Sequence, residues 1–193
     1  RVFRQMLVTR GWKYRAFLRY LGLFKYLTLD FTRGEFLESY YTLMRYLDDV
    51  VDGDVPLPDG YTCKSEYIVK KIEFARHPEN PTDEADWLMK YCLELAGKFE
   101  EDVLPETIDI LESLLFDASR RRKMMVFPEN ELNQHFHLLD IRGTIRATLK
   151  LFKDDPDKYR ILEPLGTACR HQYDIEDFES DIRAGYVNIS LED

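Results

Sequence analysis

The chain has 193 residues, of which 45% are hydrophobic and 33% are charged, and its formal net charge is −9. These values are typical of one folded globular domain and exclude a fibrous or largely disordered chain. The acidic balance disfavours nucleic acid as a partner, because phosphate backbones attract Lys and Arg. A small anionic substrate stays compatible if a local basic or metal-loaded site meets it.

Three features bear on the cellular compartment. Apolar stretches such as 17–29 are interrupted by charges and are shorter than the roughly 20 residues of a membrane span. The three cysteines, Cys63, Cys92 and Cys169, are odd in number and widely spaced, which favours reduced thiols. Nothing after Arg1 resembles a signal peptide. We therefore predict a cytoplasmic location.

Helical periodicity dominates the sequence, and alternating β-branched runs are nearly lacking, so we predict an all-α fold. Segments rich in Pro, Gly, Asn or Asp predict loops at 53–60, 77–82, Pro105, 127–130 and 154–157. The segments between them predict helices at 11–27, 32–52, 62–76, 83–102, 106–126, 131–152 and 158–184. No segment resembles an interdomain linker, so we expect a single helical domain over 1–193.

The predicted helix 32–52 carries an acidic stripe. Thr32 and Glu35 have capping-box spacing, which places the helix start there. One face is apolar from Phe36 to Val51, and beside it runs a stripe of one aromatic, one cationic and three acidic side chains. That stripe consists of Tyr41, Arg45, Asp48, Asp49 and Asp52.

Asp48 and Asp52 are one helical turn apart, so their charges repel unless a cation lies between them. Mg²⁺ is the natural candidate, because it prefers carboxylate oxygen and shares its shell with substrate phosphate. The alternative is a solvated helix end that runs into the acidic loop at Gly53. Val50 and Val51 lie inside the cluster and favour a buried helix instead.

The predicted helix 158–184 repeats this pattern with Arg170, Tyr173, Asp174, Asp177 and Asp181, and Gly185 suits its C-cap. Two such helices predict opposed walls of one pocket that holds bridging cations. Metal ions there would bind a diphosphate and offset the charge that grows as a carbon–oxygen bond breaks. Aromatic side chains would then stabilise a carbocation.

These motifs resemble the squalene/phytoene synthase family. Residues 41–52 (YTLMRYLDDVVD) match that family's Tyr-x-x-x-Arg-x-x-Asp-Asp-x-x-Asp pattern, and 177–190 (DFESDIRAGYVNIS) resemble its second Asp-x-x-x-Asp motif. Gly143 with Thr144, and Leu165 with Gly166, also stand where the family has Gly-Thr and Leu-Gly pairs. The resemblance covers residues 30–193.

The resemblance implies a class I isoprenoid synthase helical bundle around a central cavity. It implies Mg²⁺ bound by Asp48, Asp52, Asp177 and Asp181. Asp174 and Glu176 could either widen this metal site or only tune its charge, and we favour Asp174 as an added ligand because it shares the stripe of Asp177. It also implies diphosphate contacts from Tyr41 and Arg45, and farnesyl or geranylgeranyl diphosphate as substrate. Head-to-head prenyl transfer is the family's usual reaction, and a peripheral membrane contact for product release is a further expectation.

Several positions depart from the family pattern, and the family continues beyond the end of this chain with further helices. Arg170, Tyr173 and Glu176 replace a Gln-x-x-Asn-x-x-Arg-Asp run, and Ser180 replaces Glu. His137 stands at a pocket Tyr position, and Arg142 at that of a small residue. Two alternatives therefore stay open: a terpene cyclase on the same scaffold, and a non-catalytic relative. We keep His137, Arg170 and Tyr173 as candidate substrate contacts.

Two other groups of residues are interpreted as structural. His135 and His137 are two residues apart on a helix and do not face the same way, which disfavours a two-histidine metal site. The run Arg120–Lys123 lies in the predicted helix 106–126 and winds around it. We therefore interpret this run as a solvated face, with a diphosphate-binding patch as the alternative.

Overall fold

The computed structural model describes Val2, Met6 and residues 12–191, and this part of the chain is all-helical, as predicted. Five helices follow one another between residues 12 and 120 of the described chain. They are α1 (Trp12–Thr28), α2 (Phe31–Asp52), α3 (Lys64–Arg76), α4 (Glu84–Lys98) and α5 (Leu104–Arg120).

The rest of the described chain forms one interrupted helical run and one long helix. The run consists of α6 (Glu129–Phe136), a π-helical segment (His137–Ile145) and α7 (Arg146–Leu151). A short 3₁₀ turn (Pro156–Lys158) then leads into α8 (Tyr159–Ala184). Among the described residues, β pairing is limited to an isolated bridge between Phe127 and Ser190.

The start of α2 differs from its prediction. Asp30 is the N-cap, and its side chain accepts a hydrogen bond of 3.0 Å from the backbone N–H of Arg33. The predicted capping box of Thr32 and Glu35 is therefore wrong, because Asp30 already satisfies an N-terminal donor and Thr32 lies within the first turn. The predicted C-cap of α8 is confirmed, since Gly185 adopts the left-handed conformation with φ 86°.

Helix α5 differs from its prediction at both ends. Pro105 lies in its first turn rather than in a loop, a position where the missing N–H costs no helical hydrogen bond. The helix ends at Arg120, short of the predicted end at 126, and the chain then turns through positive φ angles at Arg122 and Met124. This early end redirects the side chain of Arg121.

Helix α2 lies at the centre of the fold, where it packs against α1, α4 and α5. Helix α5 in turn packs against α3 and the π-helical segment, which also contacts α8. Val50 and Val51 are fully buried at the acidic end of α2, which confirms that this end is part of the core. Burying them stabilises the helix on the side opposite its acidic stripe.

Close backbone approach brings the π-helical segment against its neighbours. A Cβ atom added to Gly143 would lie 2.4 Å from Ile110 Cγ1 on α5, and one added to Gly166 would lie 2.4 Å from Ile141 Cδ1. Larger residues would force these elements apart. The two glycines thus let α5, the π-helical segment and α8 form one continuous wall.

Within the described residues, no helix combines the length and the apolar character that a bilayer span requires.

Candidate functional site

The two acidic helices meet at one cavity, which has a volume of about 590 Å³. This size is ordinary for a small-molecule site. Its walls come from α2, α5, α6, the π-helical segment, α8 and the segment that follows α8. The predicted site residues that line it are Tyr41, Arg45, Asp48, Asp52, Arg170, Tyr173, Asp174, Asp177 and Asp181.

Two predicted site residues lie outside this cavity. Asp49 is only 2% exposed, and its Oδ1 is 3.3 Å from Nε of Arg45, so it braces the arginine from behind. His137 opens on a neighbouring groove, and its Nδ1 is 3.1 Å from Oε1 of Glu163. Neighbouring positions on a helix point about 100° apart, which is why Asp49 does not share the direction of Asp48.

Arginines contact the acidic residues of the first motif. Arg45 Nη1 donates to Oδ2 of Asp48 at 2.5 Å. The guanidinium of Arg121 donates to Oδ1 of Asp52 and, at 3.1 Å, to the hydroxyl of Tyr186. The cavity therefore has cations beside its carboxylates, in positions where they can meet an anionic ligand.

The prediction that the run Arg120–Lys123 forms a solvated face is wrong for Arg120 and Arg121. Arg120 is 3% exposed and Arg121 is partly buried, and both line the cavity, whereas Arg122 and Lys123 are exposed. The run leaves the helix at Arg120, so it does not wind around one. No local signal in the sequence marks this early helix end, so a predicted helix that continues to 126 could not place Arg120 and Arg121 at the cavity.

A chain of polar contacts leads from Asp181 into the protein interior. The side-chain amide of Asn188 donates to Oδ2 of Asp181 at 2.9 Å. Arg120 Nη2 donates to Oδ1 of Asn188 at 2.8 Å and is 2.7 Å from Oδ1 of Asp117. The same Asp117 oxygen is 3.3 Å from Nε2 of the buried His135. This network fixes the direction in which Asp181 faces. Sequence reasoning interpreted Arg120 and His135 as structural and did not identify Asp117 or Asn188 as site residues.

Arg170 forms a second anchored pair in the cavity. Its guanidinium donates to both carboxylate oxygens of Asp140, at 2.7 and 2.8 Å, and its Nη1 is 3.8 Å from Oδ1 of Asp174. The guanidinium also lies over the ring of Phe136, 4.9 Å from its centroid. Bidentate pairing and ring stacking fix the plane of the guanidinium, which lysine could not reproduce.

Burial and mutual repulsion act on the carboxylates of α8. Burial raises the pKa of Asp174 to about 6, and the charge of Asp181 adds to this against the opposing effect of Arg170. Burial and then Asp177 raise the pKa of Asp181, and Asp52 on the opposite wall raises it further. The two acidic motifs therefore share one electrostatic field, and a bound cation would stabilise the ionised forms.

The donor set determines how a metal ion would fit. Across Val2, Met6 and 12–191, no three His, Cys, Asp or Glu side chains come close enough to hold one ion together. Mg²⁺, however, is commonly held by one or two carboxylates, with water and substrate phosphate completing its shell. Carboxylates on two facing walls suit such a shared arrangement. The residues fit Mg²⁺ that arrives with a diphosphate, rather than an ion held by the protein alone.

Apolar side chains complete the cavity. Met44 of α2, Ile110 and Leu114 of α5, Phe136 and Leu139 line the same space as the carboxylates. A ligand with one anionic end and one hydrocarbon end would find a matching surface for each.

No family model, curated protein or solved structure matches this chain.

Proposed function

We propose that this protein is a Mg²⁺-dependent isoprenoid synthase that ionises an allylic prenyl diphosphate. The observation that supports this most is that Asp48 and Asp52 on α2 share one cavity with Asp177 and Asp181 on α8. Acidic motifs so far apart in the sequence have no structural need to meet. Their meeting beside apolar walls suits a substrate that is a diphosphate at one end and a hydrocarbon at the other.

The proposed roles follow from placement. Asp48, Asp52, Asp177 and Asp181 would hold Mg²⁺, with Asp174 beside them, and the bound metal would offset the charge that develops on the departing diphosphate. Arg45 and Arg121 already contact these motifs, so they can turn to diphosphate oxygens when Mg²⁺ takes their carboxylate partners.

The hydrocarbon end needs a different environment. The rings of Tyr41 and Tyr173 line the cavity together with Phe136 and Leu139. Aromatic faces carry a negative electrostatic potential that stabilises a nearby cation. Apolar walls also keep water from the allylic cation and so favour carbon–carbon bond formation over hydrolysis.

Squalene/phytoene-type head-to-head transfer is the proposed reaction, because the first motif resembles that family along its whole length. A terpene cyclase on the same scaffold is the second candidate. The favouring observation is that Arg170, Tyr173 and Ser180, where the chain departs from the family pattern, all line the cavity. Altered cavity walls favour an altered fate for the cation.

The test is incubation of the purified protein with farnesyl and with geranylgeranyl diphosphate, each with and without Mg²⁺. We expect Mg²⁺-dependent diphosphate release and an apolar product identified by mass spectrometry. A product with twice the substrate's carbon number supports transfer, and one with the same carbon number supports cyclisation. Absence of diphosphate release from both substrates would reject both reactions.

Matched variants on one helix connect the activity to the cavity. Asp181→Asn removes a cavity carboxylate, whereas Glu179→Gln removes an α8 carboxylate that is 86% exposed and contacts only Arg183 among the pairs described. We expect a loss of at least about 100-fold in kcat/KM for Asp181→Asn, on the scale of lost transition-state charge stabilisation, and little change for Glu179→Gln.

A further inference from the structure

Helix α1 presents an exposed apolar stripe to solvent. Its members recur at helical spacing and so lie along one line on the outer surface. They are Trp12, Ala16, Tyr20, Leu23 and Leu27. Trp12 is 72% exposed and Leu27 is 74% exposed, which is unusual for large apolar residues arranged in a row.

The opposite side of α1 explains why the stripe faces outward. Leu18 and Leu21 are buried, and the ring of Phe17 packs edge-on against Tyr41 of the cavity wall with 5.1 Å between centroids. Lys25 is 3.5 Å from Glu38 of α2. These contacts fix the rotation of the helix, so the stripe is held at the surface by packing on its other side.

Charge identifies the partner that suits this stripe. Helix α1 contains four basic residues and no acidic one, although the whole chain has a net charge of −9. Arg15 and Arg19 are exposed and lie along one edge of the stripe. Aromatic and aliphatic side chains flanked by arginine are characteristic of helices that lie in the headgroup region of an anionic bilayer.

Helix α8 provides the contrast within the same molecule. It also exposes large apolar residues, among them Ile161 and Ile175. Its exposed surface, however, carries acidic neighbours such as Glu176, Asp177 and Glu179, which an anionic surface repels. Exposure of apolar residues is thus common to both helices, and only α1 combines it with a purely basic charge.

We propose that α1 is a membrane-docking helix that seats its Trp12–Leu27 stripe on an anionic lipid surface, with Arg15 and Arg19 contacting lipid phosphates. The contact of Phe17 with Tyr41 then places the cavity wall beside the bilayer. The proposal depends on the surface of α1 alone and stands independently of the reaction in the cavity.

Intrinsic fluorescence gives a direct test, because the chain has two tryptophans, Trp12 and Trp87. In Trp87→Phe, Trp12 is the only indole. We expect its emission to shift to the blue when vesicles of phosphatidylcholine and about 30% phosphatidylglycerol are added. The phosphatidylglycerol gives the vesicles a negative surface, as in natural anionic leaflets. The shift is expected to reverse in about 1 M NaCl, where the screening length is about 3 Å. In Trp12→Phe, Trp87 is expected to show no shift.

Vesicle co-sedimentation of the full chain separates the contributions. Arg15→Gln with Arg19→Gln is expected to weaken binding to the anionic vesicles about 30-fold, since each basic residue near such a surface contributes about fivefold. Leu23→Ser with Leu27→Ser is expected to weaken it at least about tenfold. The matched control, Ile161→Ser with Ile175→Ser on α8, is expected to leave binding unchanged.

Three results would overturn the proposal. The first is an unshifted Trp12 emission with anionic vesicles. The second is equal loss of vesicle binding in the α8 control. The third is a concentration-dependent dimer, seen by sedimentation velocity, that Leu23→Ser with Leu27→Ser abolishes while vesicle binding is absent. That result would assign the stripe to a second copy of the chain. Circular dichroism confirms that each variant is folded, and all the substituted side chains are exposed.

Discussion

The hydroxyl of Tyr186 donates a hydrogen bond of 3.2 Å to Oδ1 of Asp52, and so joins the turn after α8 to the C-terminal end of α2. The same Asp52 oxygen accepts a hydrogen bond from Arg121. Both acidic motifs are therefore connected through Tyr186. Asp52 is held by the protein on one side and faces the cavity on the other.

Tyr186→Phe removes this connection while keeping the ring between Arg120 and Arg121. We expect the free energy of unfolding to fall by about 2 kcal/mol, because the hydroxyl donates to Asp52 and accepts from Arg121, and each hydrogen bond contributes about 1 kcal/mol net. Urea unfolding measures the change, and an unchanged m-value would show that compactness is retained. Tyr20→Phe, at an exposed position, is the control, and an equal loss there would contradict this interpretation.

Arg121→Gln tests the cation at the cavity wall. We expect kcat/KM for the prenyl diphosphate to fall about 100-fold, because a charge that stabilises the departing diphosphate is removed. Steady-state diphosphate release measures it. Arg122→Gln is the matched control one residue later, since Arg122 is exposed. Equal effects of the two substitutions would point to long-range charge rather than contact.

Asn188→Ala tests the network behind Asp181. We expect the concentration of Mg²⁺ required for half-maximal activity to rise about tenfold, in line with the loss of a group that orients a metal ligand. At saturating Mg²⁺ most of the activity should return, which a purely structural defect would not allow. Asn133→Ala, which removes an exposed amide that contacts Glu129, should leave the Mg²⁺ requirement unchanged.

The raised pKa of Asp174, about 6, makes a prediction about pH and stability. The folded protein binds this proton more tightly than the unfolded chain, so the associated stability is present at low pH and is lost as pH rises through about 6. Asp174→Asn has no titrating carboxyl at this position and so lacks this pH-dependent contribution to stability. The Tm of Asp174→Asn, relative to that of the parent, should therefore be higher above pH 6 than below it. Thermal unfolding across this range measures the difference, and a pH-independent difference would contradict the origin assigned to the shift.

Local periodicity was sufficient to predict the helices and most of the cavity's acidic lining. The stripes of α2 and α8 repeat every three to four residues, so their faces follow from helix geometry once the helices exist. The stripe of α2 also has an apolar neighbour that is buried, whereas α8 buries none of its residues. Asp48, Asp52 and Asp181 could be placed on this basis without knowledge of tertiary contacts.

Other features depend on tertiary packing and had no local signal. The run Arg120–Lys123 contains no helix breaker, and α5 ends there where Arg120 and Arg121 contact residues of the cavity wall. The π-helical segment lies where Gly143 meets α5, and such backbone changes are not encoded by side-chain periodicity. The contact of Asn188 with Asp181 depends on the turn at Gly185, whose direction the sequence does not give.

In the proposed function, the two acidic helices act together on a metal-bound diphosphate. Calorimetric titration of Mg²⁺ into the protein, with and without inorganic diphosphate, measures this joint action. We predict weak binding of Mg²⁺ alone, much tighter binding when diphosphate is present, and loss of that coupling in both Asp48→Asn and Asp181→Asn but not in Glu179→Gln. Binding of Mg²⁺ that is independent of diphosphate, or coupling that survives either cavity substitution, would contradict the account.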